Sequence, residues 1–216
     1  MSTPRAVVVS CHGGRPIGWQ RVGPWYPPVW WNQLLIDLLR HRLRPYEIAL
    51  APVINSVRGW NDPELPALDD ARRTVGAIRR RWPDVPLLLI GYSLGGRVIG
   101  RIADEAGAAG AVALAPWWPD PVDGSGLAGV PTVIIQGSAD AVTPPSDSRA
   151  VAGRLHAAGT PVVRYLITGA GHLMVLRRPT WQRLAGEGIL GLLGESPYTD
   201  RLAAIQAGPR PLDHRC

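Results

Sequence analysis

The chain of 216 residues contains no lysine and no phenylalanine, and only two cysteines. Its formal charge of +6 is therefore carried by arginine alone. Both absences read as a compositional bias of the coding genome rather than as a functional signal. Cys11 and Cys216 stand far apart, so neither a disulfide framework nor a metal-ligand spacing follows from them, and Cys11 is expected as a small buried residue. No apolar run approaches the roughly 20 residues needed to span a bilayer. The apolar stretch near the start, Ala6-Val7-Val8-Val9, is too short for the core of a signal peptide. The expectation is a cytoplasmic protein with no membrane partner. The arginines are scattered; the densest group, Arg79-Arg80-Arg81, suits the negative end of a helix. No nucleic-acid-binding module accompanies them, so no nucleic-acid partner is expected. Internal repeats and interdomain linkers are also lacking.

What is present is enough for one folded domain. Hydrophobic residues make up 46% of the chain, which excludes disorder. Strand-like and helix-like runs alternate throughout, the pattern of a parallel sheet with crossover helices. Six strands are predicted, at Ala6–Ser10, Tyr46–Ala51, Leu87–Ile90, Ala111–Leu114, Thr132–Gln136 and Val162–Ile167. Helices are predicted at Trp31–His41, Leu68–Arg81, Leu94–Ala106, Ser146–Ala158 and Trp181–Leu193. The domain is drawn over residues 1–195, with 196–216 as a C-terminal tail. That tail holds a short amphipathic piece, Asp200–Gln206, and then a loosely ordered Gly-Pro-Arg-Pro end.

The chemistry centres on Gly91-Tyr92-Ser93-Leu94-Gly95-Gly96. It reads as G-x-S-x-G, between the buried strand Leu87–Ile90 and a helix. Such a turn presents its serine above the sheet, and its sharpness requires the small residues at 91, 95 and 96. A serine nucleophile needs a base, and the base needs an acid to orient it. His172, in Thr168-Gly169-Ala170-Gly171-His172, follows the strand at Val162–Ile167. Asp140, in Gln136-Gly137-Ser138-Ala139-Asp140, follows the strand at Thr132–Gln136. The order serine, acid, histidine is that of α/β-hydrolases. Asp120 and Asp123 are alternative acids after the preceding strand. For the oxyanion, Leu94 supplies one backbone N–H and the Cys11-His12-Gly13-Gly14-Arg15 loop the other. Gly14 is the first choice there, with Gly13 or Arg15 as alternatives. The ring of His12 is expected to prop this loop. No metal and no cofactor are called for.

With these motifs the chain resembles the α/β-hydrolase superfamily, and within it the small, lidless serine esterases of the dienelactone hydrolase-like branch. The likeness runs from Ala6 to about Leu193. That branch often has cysteine where Ser93 stands, so this chain departs toward an ordinary serine esterase. The resemblance implies an α/β-hydrolase fold with helices on both faces of a mainly parallel sheet of about six strands. It also implies that the first two strands of the larger fold are missing and that no large lid domain is present. The expected activity is cleavage of a carboxylic ester or thioester through an acyl-enzyme on Ser93. Alternatives on the same machinery are a thioesterase or acyltransferase acting on a carrier-bound acyl chain, a lyase, or a ligand-binding receptor.

Three aromatic- and proline-rich loops, at 15–30, 52–66 and 116–119, follow predicted strand ends, the edge where open α/β sheets bind ligands. Trp117 and Trp118, close after a strand beside the nucleophile, are the leading candidates for a substrate pocket, together with Trp19, Tyr92 and Arg15. Arg15 offers a cation for a substrate carboxylate, and Tyr92 is placed to pack under the nucleophile. Arg97 is expected to make a surface salt bridge. A small acyl substrate is the expected partner, with an acidic acyl-carrier domain possible for so basic a chain, as a monomer or homodimer.

Overall fold

Parallel pairing runs through the whole sheet in the order β2-β1-β3-β4-β5-β6-β7. The strands are β1 (Ala6–Cys11), β2 (Ile48–Val53), β3 (Leu87–Tyr92), β4 (Gly110–Leu114), β5 (Thr132–Gly137), β6 (Val162–Ile167) and β7 (His214–Arg215). The helices are α1 (Pro27–Leu43), α2 (Pro66–Arg81), α3 (Leu94–Ile102), α4 (Pro145–Ala157), α5 (Arg178–Leu192) and α6 (Tyr198–Gln206). This computed structural model describes residues 3–120, 122–173, 175, 177–206 and 214–216.

The central strands are buried on both faces, which is why they read as continuous apolar runs. Their side chains still alternate. Val7, Val9, Leu87 and Leu89 enter a core closed by α2, α3 and α4. Ala6, Val8, Leu88 and Ile90 enter a second core closed by α1 and α5. Helices therefore cover both faces, and no large lid domain is present among the described residues.

The boundaries differ from the sequence reading where proline acts. Helix α1 begins at Pro27-Pro28 rather than Trp31, because proline is pre-set for the first helical turn and its missing N–H costs nothing there. Pro45 ends that run in a single 3-10 turn, Arg44–Tyr46, so β2 starts at Ile48 instead of Tyr46. The sheet has a seventh strand that the sequence does not reveal, since His214–Arg215 is too short to show any periodicity. Segment 208–211 lies outside the described residues. Before it, α6 is held to α5: Arg201 Nη1 lies 2.7 Å from Glu187, and the Thr199 hydroxyl donates to the Gly191 carbonyl at 2.9 Å. Among the described residues no helix is long and apolar enough to cross a membrane.

Candidate active site

Strand β3 passes into α3 through the single residue Ser93. Its backbone sits at φ 56°, ψ −116°, a strained conformation that the surroundings must hold in place. The Ser93 N–H donates to the Leu114 carbonyl at 3.0 Å, and the Ser93 carbonyl accepts from the Trp117 N–H at 3.0 Å. The flanking glycines are sterically required. A Cβ at Gly91 would lie 2.2 Å from the Gly95 carbonyl oxygen, and one at Gly95 would lie 2.0 Å from that of Cys11.

The loops after β5 and β6 bring the other two residues to Ser93. His172 Nε2 lies 3.1 Å from Ser93 Oγ, and His172 Nδ1 lies 3.0 Å from Asp140 Oδ2. The two loops touch through a close backbone approach, for a Cβ on Gly137 would fall 2.2 Å from the Ala170 carbonyl oxygen. The Tyr92 hydroxyl donates to the His172 carbonyl at 3.1 Å, which ties the histidine loop to β3. Burial pushes the phenol of Tyr92 well above its ordinary range, so it remains a donor.

Asp140 is buried, and donors surround it. Its Oδ1 accepts the N–H of Val142 at 2.9 Å and of Thr143 at 2.8 Å. Its Oδ2 accepts the Thr143 hydroxyl at 2.8 Å and Gln136 Nε2 at 2.9 Å, besides His172. Burial on its own would raise the carboxyl's pKa. The hydrogen bonds from His172 and Thr143 outweigh that and hold it below the usual carboxylate range. Thr143 and Gln136 carry no motif, so sequence reasoning missed them. The alternative acids are engaged elsewhere: Asp123 Oδ1 meets Arg97 Nε at 2.9 Å, and its Oδ2 accepts the Asp120 N–H at 3.0 Å.

The loop after β1 lies across the mouth of the turn. Fully buried His12 fixes it from below: Nε2 accepts the Asn55 N–H at 3.1 Å, and Nδ1–H donates to the Gly13 carbonyl at 2.6 Å. Burial lowers the pKa of this ring, consistent with a neutral imidazole carrying its proton on Nδ1. The Arg15 N–H is committed to the Arg58 carbonyl at 2.9 Å, which removes it as an oxyanion donor. Gly13 and Gly14 both line a cavity of about 430 Å³ that also holds Ser93 and His172. Its remaining walls are Pro27, Pro28, Trp31, Tyr92, Val142, Leu173 and Val175.

No protein-family model and no curated protein matches the sequence. Solved structures do. An α/β serine hydrolase homologue from Coxiella burnetii superposes with a TM-score of 0.64 at 19% identity, over 83% of each chain. A lidless α/β serine hydrolase from Xanthomonas campestris gives 0.64 at 18%, over 91% of this chain and 86% of its own. The chain has the α/β-hydrolase fold. An esterase from Pyrococcus furiosus shares it, with a TM-score of 0.64 at 15% identity over 86% of this chain and 82% of its own.

Within this fold, several residues expected to bind substrate lie elsewhere. Trp118 is core: its indole N–H donates to the Gly96 carbonyl at 3.0 Å, and it packs over Gly100. Trp117 and Trp60 sandwich the Arg97 guanidinium at 4.6 and 4.4 Å. That places Arg97 in a buried ion pair with Asp123, not on the surface. Trp19 and Arg15 are exposed and do not line the cavity. Of the five candidates only Tyr92 does. The walls come instead from the start of α1 and from the loops that carry Asp140 and His172. Their place just after the strand beside the Ser93 turn favoured the tryptophans, but the chain after β4 turns away beneath α3.

Proposed function

We propose that this protein is a serine hydrolase that cleaves a carboxylic ester or thioester through an acyl-enzyme on Ser93. The observation that carries the reading is the continuous contact from Ser93 Oγ through the His172 ring to buried Asp140. The likeness to solved serine hydrolases and esterases supports it.

In the forward step Ser93 Oγ attacks the carbonyl carbon and its proton passes to His172 Nε2. Asp140 accepts from Nδ1–H, fixing the tautomer that leaves Nε2 free to act as base, and stabilises the imidazolium that forms. The N–H groups of Leu94 and Gly14 receive the oxyanion. The choice of Gly14 follows from His12. The Gly13 carbonyl is turned toward the His12 ring, so in a planar trans peptide the Gly14 N–H points the opposite way. Collapse of the intermediate expels the alcohol or thiol, which takes the proton from His172. Water then attacks the acyl carbonyl and gives its proton to the same nitrogen; collapse of that intermediate breaks the bond to Ser93 Oγ, which takes the proton back from His172 as the acid leaves. The cavity walls are apolar and carry no cation among the described residues, which suits a neutral acyl group rather than an anionic one.

The test pairs a fluorophosphonate probe with a chain-length series of p-nitrophenyl esters and acyl thioesters, wild type beside Ser93→Ala. Labelling and turnover that both vanish in the variant are expected. Labelling that persists in Ser93→Ala would remove Ser93 from its role.

A further inference from the structure

The nine large apolar side chains that stand exposed in the described residues all lie on segments leaving the carboxyl ends of the strands. Four belong to the segment between β1 and the first turn of α1: Ile17, Trp19, Trp25 and Trp30. Two more, Leu173 and Val175, stand on the loop after β6, and Val142 stands on the loop after β5. Trp25 is 78% exposed and packs at a tilt against Trp30, with ring centroids 5.6 Å apart. Exposed apolar residues scattered singly are ordinary, but seven gathered on the three segments that wall the cavity mark a binding surface.

Two further observations point to what binds there. First, the exposed set is continuous with the cavity: Val142, Leu173 and Val175 are each more than 60% exposed and also line the space beside Ser93. An apolar chain can pass from the rim to the nucleophile without crossing a polar barrier. Second, the two segments that carry most of the rim, residues 12–31 and 168–180, contain Arg15, Arg21, Arg177 and Arg178 and not one aspartate or glutamate. Tryptophan beside arginine is the composition that settles at the boundary between headgroups and acyl chains, and arginine is drawn to anionic lipid.

We propose that this edge docks on an anionic lipid layer and that the substrate is an acyl amphiphile drawn from it into the Ser93 cavity. The substrate half of this statement rests on the hydrolase reading; the docking half does not. Lack of a spanning segment led the sequence to exclude a membrane partner, but shallow contact through loop side chains needs no such segment.

The experiment is co-sedimentation with vesicles of phosphatidylcholine, with and without phosphatidylglycerol. Wild type is expected to partition onto the phosphatidylglycerol vesicles, less so as salt rises. Trp25→Ala/Trp30→Ala is expected to lose about tenfold or more of that partition, since two exposed indoles leave the contact. Turnover of a short water-soluble ester should be unchanged in this variant, for neither residue lines the cavity. Arg21→Ser/Arg178→Ser should lose binding to the anionic vesicles, whereas Arg80→Ser/Arg81→Ser, at the far end of α2, should not. Equal partition of wild type and the tryptophan variant overturns the proposal, as does failure of wild type to bind either vesicle. A wild-type dimer that the tryptophan variant dissolves, without vesicle binding, assigns the edge to a second copy of the chain. Failure of the hydrolase reading appears separately, as loss of fluorophosphonate labelling with vesicle binding intact.

Discussion

The Thr143 hydroxyl donates to Asp140 Oδ2 at 2.8 Å while its oxygen lies 3.1 Å from His172 Nδ1. One side chain thus touches both partners of the contact that orients the histidine. Thr143→Val keeps the shape and removes the hydroxyl. A hydrogen bond to a charged group contributes about 1.5 kcal/mol or more, so kcat is expected to fall about tenfold with little change in KM. The Asp140 carboxyl, followed by NMR titration, should move up toward its usual range.

Asp140→Asn should cost far more. An amide can no longer hold Nδ1 as a donor while stabilising the imidazolium, and if Asp140 is the acid of the proposed triad its loss lowers kcat by about 10⁴. Steady-state rates on a p-nitrophenyl ester, beside a circular dichroism spectrum matching wild type, check this outcome.

The same carboxylate links stability to pH. Its pKa in the folded chain lies below the ordinary 3.8, so the unfolded state binds the proton more tightly. The stabilisation is fully present above the unfolded value and is lost as pH falls through the folded one. Urea midpoints measured from neutral pH down into this acid range should fall for wild type, and Asp140→Asn should flatten that part of the decline.

In the proposed mechanism His12 is a positioning residue that acts through the Gly13 carbonyl. His12→Ala frees the peptide that aims the Gly14 N–H and leaves the Asn55 N–H unpaired. Removal of one oxyanion donor costs about 10² to 10³ in kcat, and a misaimed donor is expected to cost at least ~10-fold. The effect should fall on kcat rather than KM, and Ser93 should still react with the fluorophosphonate probe, only more slowly.

Arg97→Met tests the buried pair under the nucleophile helix. It leaves Asp123 buried without its main cation, for which a loss of about 3–5 kcal/mol is expected. Adding Asp123→Leu should recover much of the loss, because a buried pair replaced by apolar residues no longer leaves a charge stranded. Chemical denaturation of the single and double variants decides it.

The alternation of strands and helices was legible in the chain because periodicity and turn chemistry act over a few residues. So was the turn at Ser93, since Gly91, Gly95 and Gly96 answer to steric demands set by the turn itself. The order of Ser93, Asp140 and His172, each just beyond a strand, was legible for the same local reason. What the sequence could not decide were contacts between segments brought together only by folding. Trp118 was free to be pocket or core until the loop after β4 passed beneath Gly96 and Gly100. Arg97 was free to be surface until Asp123 and two indoles closed around it. The cavity walls, from Pro27 to Val175, meet only because α1 and the loop after β6 approach the same strand edge. Turn geometry is paid locally in backbone sterics, whereas burial depends on which distant surface arrives to exclude water, and only the tertiary structure settles that.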